Sequence, residues 1–216
     1  MQPILITGIG TGIGKTIVAA IVAEALQADY WKPVQAGFDD GTDALLVGNL
    51  ISNDKTIIHP EVYKLKLPAS PHIAAREENI KIDLGKIVNQ FEQINLQSEI
   101  AKRQLIIEGA GGLLVPLNET EFVIDLIKKL NAKVILVSRN YLGSINHSLL
   151  TATVCKQNNI DVIGWIFNDQ YMHYEEEIAQ WSGYKKLGSV SFSSTIDKNF
   201  IRNEAEKISA SLHAVL

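Results

Sequence analysis

Two lysines and two carboxylates stand where phosphate chemistry would need them. Lys15 closes the run Thr7-Gly8-Ile9-Gly10-Thr11-Gly12-Ile13-Gly14-Lys15-Thr16, in which four glycines alternate with Ile9, Thr11 and Ile13. Glycines let a backbone turn tightly and press its N–H groups against an anion. A lysine so placed reaches outer phosphates, and the Thr16 hydroxyl is a ligand for magnesium. Lys32, at the end of an apolar run, offers a second cation to offset charge that develops in phosphoryl transfer; a solvated point charge is the ordinary alternative. Glu108 follows Leu105-Ile106-Ile107, where an unpaired carboxylate would be costly. Its partner is either magnesium, already half held by Thr16, or an ion pair with Arg103 or a lysine. Asp43 is the second candidate ligand, because magnesium sites combine carboxylates with phosphate oxygens and water. A helix N-cap after Gly41-Thr42 is its compatible alternative.

The glycine run is not a strict phosphate loop. The usual spacing wants glycine where Ile9 stands, and the glycine comes one residue earlier, at Gly8. The letters also fit the dinucleotide loop of short-chain dehydrogenases, but none of the six tyrosines is followed by lysine four residues on, as the catalytic Tyr-x-x-x-Lys requires. Leu142-Gly143-Ser144-Ile145-Asn146 places a glycine and two cap formers at a helix start, an anion site or an ordinary cap. Asn168-Asp169 could bond a purine edge or form an Asx-turn. His72 and His147 have no second histidine at metal-site spacing and read as structural. Cys155, the single cysteine, excludes an internal disulfide, fits a reducing cytoplasm, and reads as a packed thiol.

These residues need a scaffold that brings them together. Ile4-Leu5-Ile6 reads as a strand, and Val18, Ile21, Val22 and Ala25 give the helix after the loop its apolar face. Asp29–Val34 reads as a second strand stopped by Pro33 and Gly37, with helices over 44–50 and, capped by Asp83, over 83–94. Leu105–Ile107, Val134–Val137 and Val162–Phe167 are buried strands. Helices follow at Phe122–Leu130, after Gly143 and around Glu175–Trp181, then a weak strand at Leu187–Val190 and a closing amphipathic helix through Val215. Strands alternating with helices predict an α/β fold, a mostly parallel sheet with helices on both faces. Ligands in such sheets bind beyond the carboxyl ends of the strands, so the loop, Lys32, Glu108, 141–146 and 168–169 should converge on one edge. A length of 216 residues suits one domain over 1–216, and a net charge of −4 gives no footprint for nucleic acid. No apolar run approaches the length needed to span a bilayer, and the first strand begins without a leader, so a cytoplasmic protein is expected.

Together the segments resemble the dethiobiotin synthetase family. The matching pieces are Thr7-Gly8-x-x-Thr11-x-x-Gly14-Lys15-Thr16, Lys32-Pro33-Val34, Asp43-Ala44-Leu45, Ser70-Pro71-His72, Glu108-Gly109-Ala110-Gly111-Gly112, Leu142-Gly143-x-Ile145-Asn146-His147 and Gly164-Trp165-x-x-Asn168-Asp169. The resemblance implies a P-loop NTPase-like fold and a homodimer. It implies ATP and Mg2+ as cofactors, and 7,8-diaminononanoate and CO2 as substrates. An amine would take up CO2 as a carbamate, the carbamate would be phosphorylated by ATP, and the second amine would close a cyclic urea. By position, Lys32, Lys15 and Thr11 would be catalytic, and Thr16, Asp43 and Glu108 would hold magnesium. ATP would lie against Gly12, Ile13, Gly14, Lys15, Thr16, Ile17, Asp43, Glu108, Gly109, Ala110 and Gly111, with its base at Asn168, Asp169, Val190, Ser191 and Phe192. Substrate would meet Lys32 and Ala36, and its carboxylate the segment Leu142, Gly143, Ser144, Ile145 and Asn146 from across the dimer. Gly12 stands where the family usually has an acidic residue, Ala36 where a serine or threonine is frequent, Tyr141 in place of a lysine and Ser191 in place of a proline. Partition and septum-positioning ATPases resemble the same fold, but their loop carries an extra lysine that Gly8–Ile13 lacks.

Overall fold

The computed structural model describes residues 1–169 and 171–216. In chain order its elements are β1 (Ile4–Gly8), α1 (Lys15–Leu26), β2 (Asp29–Trp31), β3 (Val34–Ala36), α2 (Asp43–Leu50), β4 (Ile58–His59), β5 (Tyr63–Leu65), α3 (Pro71–Glu77), α4 (Leu84–Ile100), β6 (Leu105–Gly112), α5 (Val123–Lys129), β7 (Lys133–Arg139), α6 (Ser144–Gln157), β8 (Val162–Asn168), α7 (Glu175–Ser182), β9 (Lys186–Val190) and α8 (Lys198–His213).

Seven strands form one sheet in the order β4-β2-β6-β1-β7-β8-β9, and every neighbouring pair is parallel. The period of two along each strand sorts the side chains onto two faces. Leu5, Ile107, Val134, Leu136, Trp165 and Phe167 pack under α3 to α7. Ile4, Ile6, Ile106, Ile135, Val137 and Ile166 pack under α1, α2 and α8. Both faces are therefore covered, which is why these strands read as continuous apolar runs.

Three expectations need correction. The run Asp29–Val34 is two strands: β2 belongs to the large sheet, while β3 pairs with β5 in a separate two-stranded sheet. Pro33 lies at the break, has no N–H to give a ladder, and offers its carbonyl to the N–H groups of Val62 and Tyr63. The run Leu105–Ile107 continues to Gly112, so Glu108 lies inside β6 rather than after it. The helix capped by Asp83 extends to Ile100, where Ser98 donates to the buried carboxylate of Asp29 at 2.7 Å. That carboxylate also takes Arg103 Nε at 2.7 Å and Nη2 at 3.2 Å. Burial works to raise its pKa, and Arg103, Ser98 and the Ile57 N–H together hold it below the ordinary value. No helix among the described residues is long and apolar enough to cross a membrane.

Candidate active site

The loop between β1 and α1 forms the floor. Gly14 occupies the helix N-cap at φ 89° and brings no side-chain cap, so the first-turn N–H groups are left facing the cleft. A Cβ at Gly14 would lie 2.5 Å from Asn168 Nδ2. That amide reaches across from the end of β8 and donates to the Ile13 carbonyl at 2.6 Å. The expected base contact from Asn168 thus has a competing use, because its amide already fastens the loop. Lys15 is buried and donates to the Gly10 carbonyl at 2.7 Å, folded back on its own loop. Burial, opposed by the Glu108 carboxylate, lowers its pKa from 10.5 to about 8.

Beside the floor is a charged cluster built from β2 and the residue after it, from within β6, and from the first turns of α1 and α2. Glu108, 1% exposed, accepts from Thr16 Oγ1 at 2.9 Å and from Lys32 Nζ at 2.8 Å through Oε1. Its other oxygen, Oε2, accepts from Tyr30 Oη at 2.7 Å. The Lys32 ammonium also donates to Asp43 Oδ2, so it bridges the two carboxylates. Burial would lower the Lys32 pKa, but the charges of Glu108 and Asp43 outweigh it and hold it above the ordinary lysine value. Of the partners open to Glu108, the ion pair with a lysine is the one formed here, and Arg103 belongs to Asp29. Thr42, not Asp43, caps α2, accepting from Leu45 N at 3.2 Å. Asp43 is the first helical residue, its N–H bonded to Gln35 Oε1 at 3.2 Å and its carboxylate turned to the cluster. Two carboxylates on a single ammonium, with a hydroxyl bonded to one of them, make a hard, oxygen-only donor set that suits magnesium. Among the described residues there is no cluster of three or more His, Cys, Asp or Glu that could hold a metal alone.

The cleft above these groups has a volume of about 750 Å³. Thr11, Gly12, Gly14, Lys15, Thr16, Ile17, Lys32, Ala36, Asp43, Glu108, Ala110 and Gly111 all line it. Gly109 lies behind that wall, where a Cβ would sit 3.4 Å from the Ile6 carbonyl. A second hollow of about 230 Å³ opens from the loop and is lined by Ile13, Asn168, Asp169, Val190, Ser191 and Phe192. Asp169 pairs there with Arg139, Nε to Oδ2 at 3.2 Å. The segment Leu142–Asn146 lines neither hollow. Leu142 is 85% exposed, whereas the Ser144 hydroxyl is buried on Tyr174 Oη at 2.6 Å and accepts from Tyr141 N at 3.3 Å. His72 bonds Ser70 Oγ at 3.0 Å and His147 bonds Tyr141 Oη at 2.7 Å, both satisfied within the protein.

Tyr30, Gln35 and Arg139 escaped the sequence reading. For Tyr30 a signal existed: residues two apart on a strand share a face, so Tyr30 follows Lys32 toward Glu108.

The seven-stranded parallel sheet, the glycine loop opening α1, and the lysine and carboxylates clustered beside that loop define a P-loop nucleotide-binding protein. A family model described as AAA domain matches residues 2–199. An ATP-dependent dethiobiotin synthetase of Cytophaga hutchinsonii is 48% identical over 209 residues, 96% of this chain and 97% of the relative. The enzyme of the same name from Christiangramia forsetii is 44% identical over 203 residues, 94% and 93% of the two chains. The chain belongs to the ATP-dependent dethiobiotin synthetase family. Among solved structures, the MinC:MinD cell division complex of Aquifex aeolicus aligns with a TM-score of 0.62 at 13% identity, over 98% of this chain and 93% of that one. The Pyrococcus horikoshii septum site-determining protein MinD, complexed with Mg-ADP, aligns at 0.59 and 13%, over 100% and 99%. These two likenesses are of fold.

Proposed function

We propose that this chain converts 7,8-diaminononanoate and CO2 to dethiobiotin, with ATP cleaved to ADP and phosphate. The observation that carries the reading is the pairing of two buried ammonium groups, Lys15 and Lys32, with Thr16, Asp43 and Glu108 on the floor of one cleft. One amine of the substrate adds to CO2 and loses a proton, giving a carbamate. A carbamate oxygen attacks the γ-phosphorus, the bond to the bridging oxygen breaks, and ADP leaves. The second amine attacks the carbonyl of the resulting carbamic–phosphoric anhydride, closes a five-membered urea and expels phosphate.

Side chains have little covalent work in this sequence; they position groups and neutralise charge. Lys32 would leave its carboxylates to meet the carbamate and the transferring phosphoryl group, and Lys15 would exchange the Gly10 carbonyl for phosphate oxygens, with Thr11 beside them. Thr16, Asp43 and Glu108 would hold magnesium, which supplies charge neutralisation at the phosphates when bound. Loop residues 12–17 and 108–111 would cradle the phosphates. The base would enter the hollow at Asn168, Asp169 and Val190–Phe192, with Asn168 keeping its grip on the loop. Substrate would lie along Ala36, and its carboxylate would meet Leu142–Asn146 of a second copy. That last assignment draws support from the segment not lining its own cleft and from the exposed Leu114 and Leu150 in a groove at the α6 side. We place this homodimer in the cytoplasm, with one domain per chain and no nucleic acid or membrane partner.

The test supplies ATP, Mg2+, bicarbonate and 7,8-diaminononanoate and looks for the cyclic urea by mass. Phosphate release without that product refutes the substrate assignment, and ATP turnover that needs DNA or a membrane favours the nucleotide-switch alternative.

A further inference from the structure

Tyr30 stands on β2, two residues before Lys32, and its side chain is fully buried. Its hydroxyl is not spare polarity. It donates to Glu108 Oε2 at 2.7 Å, while Oε1 receives Thr16 and Lys32. The Glu108 carboxylate is thereby divided: Oε1 takes the Thr16 hydroxyl and the Lys32 ammonium, and Oε2 takes a buried phenol.

Divalent ions differ in what they ask of a carboxylate. Calcium takes six to eight oxygens and readily accepts both oxygens of one carboxylate, whereas magnesium demands a compact octahedron and takes one. We propose that Tyr30 is a specificity-determining residue for the metal: by holding Oε2 it leaves Glu108 a single oxygen for the ion and so selects Mg2+ over Ca2+. An ion that used Oε2 as well would have to share that oxygen with the Tyr30 hydroxyl inside the core, and weakening that buried hydrogen bond disfavours such binding by about tenfold. The inference rests on Glu108 being a metal ligand, as set out above.

The test follows Mn2+ by electron paramagnetic resonance in the protein with a non-hydrolysable ATP analogue, and displaces it with Mg2+ or Ca2+. The parent protein should shift the Ca2+-to-Mg2+ competition against calcium relative to the analogue alone. Tyr30→Phe should move the ratio toward calcium by about tenfold, with analogue binding in chelator unchanged. An unchanged ratio in a folded Tyr30→Phe protein overturns the proposal. Should that variant not fold, absence of any shift by the parent protein overturns it equally. Glu108→Gln separates the two layers: if it holds Mn2+ as the parent does, the reading of Glu108 as a ligand falls, and the role of Tyr30 with it.

Discussion

Replacing Lys32 by methionine keeps the length of the buried stem and removes only the charge. The ammonium now sits 2.8 Å from Glu108 Oε1 and also holds Asp43, with the lysine and Glu108 side chains 7% and 1% exposed. At an effective dielectric near 20, a pair at that distance attracts by about 6 kcal/mol, and much of that offsets desolvation. Breaking a buried pair costs about 3–5 kcal/mol because a lone charge remains. For a chain of this length each kcal/mol lowers the melting temperature by about 2–4 °C, so Lys32→Met should melt roughly 6–20 °C lower. Millimolar Mg2+ should recover part of the loss, because two carboxylates and the Thr16 hydroxyl stand ready for a cation, whereas the parent protein, with its own ammonium in place, should respond little without nucleotide. Turnover should fall on the order of 10²-fold or more, as for other lost transition-state donors, with ATP binding largely kept. Thermal melts with and without Mg2+, beside a product assay, decide it. A variant as stable as the parent and indifferent to Mg2+ would refute the electrostatic reading of the cluster.

Other expectations are equally direct. Lys15 has a pKa of about 8 in the free protein, and bound phosphate favours its ammonium form. ATP binding should therefore take up a proton above that pH, and affinity should fall by up to roughly tenfold per pH unit, measurable by calorimetry in buffers of different ionisation enthalpy. The same shift means that stability of the free protein gains from Lys15 as pH rises from about 8 to 10.5, where the unfolded chain still binds the proton and the folded one does not. Gly14→Ala places a Cβ 2.5 Å from the Asn168 amide at φ 89°, and should abolish nucleotide binding in a fluorescence titration. Asn168→Ala should weaken it while leaving the fold intact by circular dichroism. The Cys155 thiol is fully buried, and burial pushes its pKa up to about 12, so a thiol reagent should modify it only in denaturant.

Much of this was legible in the residues because periodicity and punctuation agree with the final packing. The loop, the capped helix at Asp83 and the buried strands through Leu105, Val134 and Val162 each carry their signal locally. What was not legible depends on partners distant in sequence. The split of β2 from β3 follows from Pro33 meeting Val62 and Tyr63, and the extra turns of α4 from Ser98 reaching Asp29. Glu108 read as a metal ligand or an ion-paired carboxylate, and the structure has it paired with Lys32, which lies 76 residues away in sequence. Asn168 read as a purine contact or part of an Asx-turn, and its amide in addition clamps the loop from 155 residues away.

The interruption at Pro33 also bears on how this chain could vary. Lys32 belongs to a two-residue span moored on one side to the large sheet through Trp31 and Ile107, and on the other to the small one through Val34 and Tyr63. An insertion there would turn the ammonium to the opposite face of the strand and leave both carboxylates without it. Lengthening tolerated in the polar turn at 39–42 should thus be forbidden a few residues upstream, where two sheets fix both ends of a two-residue span.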